Sequence, residues 1–230
     1  MRHYFMWNGK SSMEFNTFIA QSNMFDAPER DIESVAVPGR NGELTFDNGR
    51  FHNFHGTVSA YIPRGMQSNA DGLRSFLLSD QSYCRYDDTI HPDEFRLARF
   101  TGPFKIEESD RVGASFVLEF DCKPQRFLKS GEAWTAYSSG SVLRNPSEYE
   151  AMPIIRASGN GSITLNGKTI TISGNSGVIY IDCDLQDAYN GSTNKNAYIT
   201  PVFPTLSPGN NTLTYSGVTG VQIMPRWWKI

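Results

Sequence analysis

GSITLNGKTITIS, residues 161–173, decides how the second half of the chain folds. Asn166-Gly167 is a strong hairpin signal, because a two-residue type I′ loop needs positive φ at both central positions. With those two residues as the whole loop, Leu165 faces Lys168, Thr164 faces Thr169 and Ile163 faces Ile170. Ile163, Leu165, Ile170 and Ile172 then share one side, and Ser162, Thr164, Thr169 and Thr171 the other. A slip of one residue would scramble both sides. Turn chemistry and apolar pattern therefore agree on a half-buried hairpin. Downstream, GVIYIDCDL (177–185) sets Ile179, Ile181 and Cys183 against Val178 and Tyr180, and NNTLTYSGVTGVQIM (210–224) adds short strands split by glycine. Strands and turns at this spacing predict a small β-sandwich.

The first half mixes strands with one helix. NADGLRSFLLS (69–79) puts Leu73, Phe76 and Leu77 at helical spacing, with Ser68 or Asn69 as N-cap after Pro63. ASFVLEF (114–120) alternates, so Phe116, Leu118 and Phe120 oppose Val117 and Glu119. EFRLARF (94–100) and GTVSAYI (56–62) are further strands. VPGRNGELTFDNGRF (37–51) carries two turn signals, Asn41-Gly42 and Asn48-Gly49, around a short strand ELTF. The fold class expected is mainly β, with an α+β N-terminal domain and a C-terminal β-sandwich.

Charge also divides the chain. Residues 1–130 hold 15 Lys/Arg and 18 Asp/Glu, whereas residues 131–230 hold 6 of each. Between them lies the Ser/Gly-rich KSGEAWTAYSSGSVLRNPSEYE (129–150), which reads as a linker or arm. The expected organisation is an N-terminal domain at 1–130, a linker at 131–149 and a sandwich at 150–230.

Composition excludes several functions. The 39% hydrophobic content is markedly aromatic, with 15 Phe, 10 Tyr and 4 Trp, which suits strands. A net charge of −3 without a basic patch gives no footprint for nucleic-acid binding. No apolar run approaches a membrane span, and MRHYFMWNGKSS is too interrupted to read as a signal peptide. Cys84, Cys122 and Cys183 are sparse and odd in number, which fits packing residues in a reducing cytoplasm. His52 and His55, three apart on a strand, point to opposite faces and do not share a metal. Carboxylates cluster in YDDTIHPDEF (86–95), IEESD (106–110) and IDCDLQD (181–187). A glycosidase pair has to converge, however, and Asp87-Asp88 or Glu107-Glu108 reads as loop charge. With no nucleophile elbow, phosphate loop or metal-ligand pair, the reading is no enzyme, no cofactor and no metal.

The chain closes on VQIMPRWWKI, with two of its four tryptophans in the last four residues. A sugar-stacking platform, a membrane anchor and a pinned final strand are the competing explanations. The lack of any other membrane signal removes the anchor. Adjacent strand residues point to opposite faces, so Trp227 and Trp228 do not both enter one core. One is expected between the sheets, while the other packs outward against the linker, the N-terminal domain or a neighbouring subunit; the pattern leaves open which is which. Pro225 before them suits a strand entry or an edge.

Four segments in order, GRNGELTFDNGRF (39–51), GLRSFLLS (72–79), FVLEFDCKPQRFL (116–128) and FPTLSPGNNTLTYSG…IMPRWWKI (203–217 and 223–230), resemble the distal tail protein family of long-tailed, non-contractile phages, a siphovirus tail component. The resemblance spans nearly the whole chain. It implies an N-terminal ring-forming domain of β-sandwich or split-barrel type with one helix, then a galectin-like sandwich ending in the strand that carries Trp227 and Trp228. It further implies a homohexameric hub between the tail tube protein and the tail-tip or receptor-binding proteins. DNA would pass through its bore, where an acidic or neutral lining does not trap phosphates. Such a protein is a virion component assembled in the host cytoplasm, without catalytic residues. Carbohydrate binding by the sandwich, for attachment to the host cell wall, is the alternative; without an inserted carbohydrate-binding module, tight glycan binding is not expected.

Overall fold

The structure, a computed structural model, describes residues 2–109 and 112–230. It divides into two compact units, one ending at Arg126 and the other spanning Phe127–Lys229.

The first unit contains β1 (Phe5–Trp7), β2 (Lys10–Ser11), β3 (Phe18–Ser22), β4 (Arg30–Ala36), β5 (Glu43–Phe51), β6 (Phe54–Ile62), α1 (Met66–Leu78), β7 (Cys84–Asp88), β8 (Glu94–Phe100), β9 (Lys105–Ser109) and most of β10 (Ala114–Leu128). Its main sheet runs β2-β1-β7-β8-β10-β6-β3, with β9 also paired to β10. Ile19 on β3 donates its N–H to the His3 carbonyl at 2.8 Å, which joins the last strand back to the residues leading into the first. The row thus curls on itself as a split barrel.

Alternation fills the interior. In the β10–β6 register, Phe116, Leu118 and Phe120 sit opposite Ala60, Val58 and Gly56, and all three large side chains are buried. Helix α1 adds Ala70, Leu73 and Leu77 to the same core. Its Phe76 stacks on Phe15 at 5.6 Å and meets Trp7 edge-on at 5.4 Å.

Two local expectations need correction here. Helix α1 begins three residues before Asn69, capped by Gly65 in the left-handed region rather than by Ser68 or Asn69. The Asn69 amide works from inside the first turn, donating to the carbonyls of Gly65 (2.8 Å) and Arg64 (3.1 Å). Likewise Asn48-Gly49 does not end a strand. β5 runs through it, and the pairing jumps from Ile32–Asp47 to Arg30–Phe51, so residues 48–50 oppose Asp31 alone. The signal marks a bulge, held by the Gly49 N–H on the Asp47 carboxylate at 2.8 Å.

The second unit contains β11 (Thr135–Ala136), β12 (Val142–Asn145), β13 (Ile154–Leu165), β14 (Lys168–Ile172), β15 (Val178–Asp182), β16 (Asp187–Asn190), β17 (Thr193–Asn194), β18 (Gly209–Met224) and β19 (Trp228–Lys229). The long strands β13 and β18 pair along both halves and shift register between Gly159 and Ser162. There they bend from one layer to the other. One layer reads β11-β18-β13-β15-β16-β17; in the other, β12 flanks β18 and β14 flanks β13. Gly161 makes the bend possible: a Cβ on it would lie 2.0 Å from the Ser216 carbonyl oxygen. Ile155, Ile179, Ile181 and Ile223 meet Ile163, Leu165, Ile170 and Leu213 between the layers.

The stretch read as a linker differs from that reading. Residues 131–149 belong to the second unit, and β11 and β12 both pair with β18. Its small polar residues suit short edge strands whose side chains have little to bury, while Leu143 enters the core.

The 166–167 hairpin has the expected register, with Ile163 opposite Ile170. Asn166 and Gly167 have φ of 50° and 78°. Gly167→Val is expected to cost more than about 1 kcal/mol, because a β-branched residue resists positive φ although nothing crowds the position. A urea melt of the variant checks this, and an unchanged midpoint would contradict it.

Candidate interaction surfaces

Side chains that looked like candidates for chemistry are spread out and paired. Asp87 takes Arg85 at 2.6 Å, Asp88 lies 3.2 Å from His91, and Glu94 takes Arg126 at 2.7 Å. His52 faces Asp31, whereas His55 faces Glu119, so the two histidines occupy separate sites. The Glu108 side chain and Asp110 lie outside the described residues. Among the described residues, no three His, Cys, Asp or Glu side chains gather as metal ligands, and no helix is long and apolar enough to cross a membrane. All three cysteines are free and buried; burial pushes the thiols of Cys122 and Cys183 up to about 12.

The terminal tryptophans part, although only Trp228 lies in a strand and Arg226 before Trp227 has a left-handed φ of 56°. Trp227 is 6% exposed and belongs to the sandwich core. Trp228 is half-buried at the rim of that core, stacked on Tyr149 at 4.4 Å, and its indole N–H donates to the Glu150 carbonyl at 2.8 Å. Between the last two strands, Arg226 carries the fastening that sequence reading missed. Its guanidinium donates twice to the Asp182 carboxylate, at 2.8 and 3.1 Å, while its Nε donates to the Met152 carbonyl at 2.7 Å. The Arg226 N–H donates to Gly131, and the Leu128 N–H donates to Trp227, each at 2.8 Å. The chain end is pinned on three sides. An arginine before two tryptophans gives no period to read, so only its partner 44 residues earlier reveals the role.

A second surface is the ribbon of β4 and β5, a two-stranded sheet of its own. In its register Val35 pairs with Leu44, and Glu33 with Phe46, so Val35, Leu44 and Phe46 share one face. They are 47%, 38% and 56% exposed. A free two-stranded ribbon is marginally stable in water, and an apolar face on it suits a partner.

No family model and no curated protein matches the chain. Solved structures do. The crystal structure of the Dit protein (gp 19.1) of phage SPP1 superposes with a TM-score of 0.77, covering 100% of both chains at 14% identity. The chain has the Dit fold. That SPP1 protein is described as a paradigm of the hub adsorption apparatus in phages infecting Gram-positive bacteria. A chain of the phage P2 baseplate, in its activated conformation with Ca, matches over 97% of both chains at 8% identity and a TM-score of 0.56. The corresponding structure with Sr matches over 96% at 9% identity and 0.53. At such identities the likeness to Dit is one of chain path, and no residue role passes across with it. The superposition with SPP1 Dit runs through both units of this chain.

Proposed function

We propose that the chain is the distal hub of a long, non-contractile phage tail, a structural virion protein without catalytic activity. The observation that carries this reading is the end-to-end match to SPP1 Dit, which leaves neither chain with an unmatched domain. Six copies would form a ring through the N-terminal units, between the tail tube protein on one side and the tail-tip and receptor-binding proteins on the other. DNA would cross the bore without specific binding. The sandwiches would lie at the periphery, and assembly would take place in the host cytoplasm. The exposed ribbon face of Val35, Leu44 and Phe46 supports self-association, since each contact of a permanent ring buries well over about 1,000 Å². The excess of acidic over basic residues in the first half is compatible with a bore that does not hold phosphates.

Native mass spectrometry at micromolar concentration tests the ring. A six-copy species is expected, and the triple replacement of Val35, Leu44 and Phe46 by Ser should shift it to monomers while the fold persists. Monomers of the unmodified chain, with no ring in assembled tails either, would contradict the proposal.

A further inference from the structure

One face of the sandwich carries groups that neither the core nor the hub reading uses. Cross-strand pairs run unbroken over six strands: Ala136 with Gln222, Gln222 with Arg156, Arg156 with Tyr180, Tyr180 with Tyr189, and Tyr189 with Asn194. Directly paired residues share a face, so these six side chains form one row at about 4.8 Å per strand. It is the outer face, because the residues alternating with them, Ile155, Ile179, Ile181 and Ile223, are buried inside. Tyr180 and Tyr189 stack at 5.8 Å, and Trp134 lies edge-on to Tyr180 at 5.8 Å, with 37% of its surface exposed. Beside them the Arg156 guanidinium is held by the Gln222 side-chain carbonyl at 3.0 Å.

We propose that Trp134, Tyr180 and Tyr189, with Arg156 and Gln222 beside them, form a binding site for a hexopyranose unit of a glycan. The proposal stands on this sheet face alone and does not rest on the hub reading. A pyranose has an apolar C–H face and a rim of hydroxyls, so it asks for aromatic rings with hydrogen-bonding groups at their edges. Here the hydroxyls of Tyr180 and Tyr189 and the indole N–H of Trp134 make no hydrogen bond to any described residue, and solvent reaches all three side chains. The guanidinium keeps further N–H groups beyond the one given to Gln222. A dry protein interface fits less well, because its centre is depleted of charge, whereas this row holds a guanidinium, two side-chain amides and two hydroxyls. The site is shallow and open, so it complements the expectation that tight glycan binding is absent: each copy binds weakly.

The full chain is titrated with methyl glucopyranoside, methyl galactopyranoside and N-acetylglucosamine, each to about 100 mM, while NMR follows the aromatic signals. At least one sugar should give saturable shifts centred on Trp134, Tyr180 and Tyr189, with a Kd of about 1–10 mM. Trp134→Ala should weaken that binding about tenfold without moving the melting temperature. Tyr180→Phe, which keeps the ring and loses the hydroxyl, should weaken it less. The proposal is overturned by no saturable shift with any of the three sugars. It is equally overturned by shifts centred elsewhere, by Trp134→Ala binding as the unmodified chain does, or by hydrogen exchange in assembled tails showing this face buried under another tail protein. Failure of the chain to form rings would leave the titration unaffected, so the two readings fall separately.

Discussion

Trp227→Ala is expected to destabilise the sandwich unit severely, and far more than Trp228→Ala. Trp227 fills the space where the chain end closes over the core, at 6% exposure, in one cluster with Ile155, Ile181 and Ile223. Truncating a buried tryptophan costs roughly 3–5 kcal/mol, against a typical domain stability of about 5–15 kcal/mol. The loss should also loosen the neighbouring bonds, since the Trp227 carbonyl holds the Leu128 N–H and the preceding Arg226 holds Asp182. Trp228, half-buried against the rim of that core, gives up one ring stack, one hydrogen bond and part of its packing, about 2 kcal/mol. Urea denaturation of both variants measures the difference. Equal losses, or a larger loss for Trp228, would show that the core tryptophan has been misassigned.

Arg96→Ala should cost about 3–5 kcal/mol in the barrel unit, as much as losing a buried aromatic. Arg96 is 0% exposed, lies with its guanidinium 4.2 Å from the Phe54 ring centre, and donates to three backbone carbonyls. Those belong to Met24 at 2.9 Å, Asp26 at 3.2 Å and Pro124 at 3.3 Å. One side chain thereby holds the segment between β3 and β4 against β10. Burial lowers its pKa to about 10, so it remains a cation at neutral pH. Removing it leaves the carbonyls without donors and opens a cavity. Arg96→Lys should recover only part of the loss, because a single ammonium does not reproduce the planar fork. Thermal melts of both variants check the ranking, and a Lys variant as stable as the original would contradict the geometry.

Elements with a strong local period are legible in the sequence alone. The 166–167 hairpin, the alternation of β10 and the apolar stripe of α1 each declare themselves within a dozen residues. Strand alternation leads one to expect that the two terminal tryptophans part, but the structure separates them by a left-handed Arg226, with only Trp228 in a strand. What stays hidden depends on distant partners. Nothing near Arg96 in EFRLARF marks it as a buried clamp, since its acceptors lie 28 to 72 residues away. The Ser/Gly-rich stretch around β11 and β12 looks like a linker because edge strands take their order from β18, far along the chain. Gly49 looks like a turn and is a bulge, a distinction set by the partner strand. The outer row of the sandwich is invisible for the same reason: Trp134, Arg156, Tyr180, Tyr189 and Gln222 are scattered in sequence and meet only across strands.

Immunogold electron microscopy of assembled tails, with an antibody against this chain, tests the hub assignment most directly. Label confined to the junction between the tail tube and the tip is the result the account predicts. Label along the tube or on the capsid, or its absence from the particle, would contradict it.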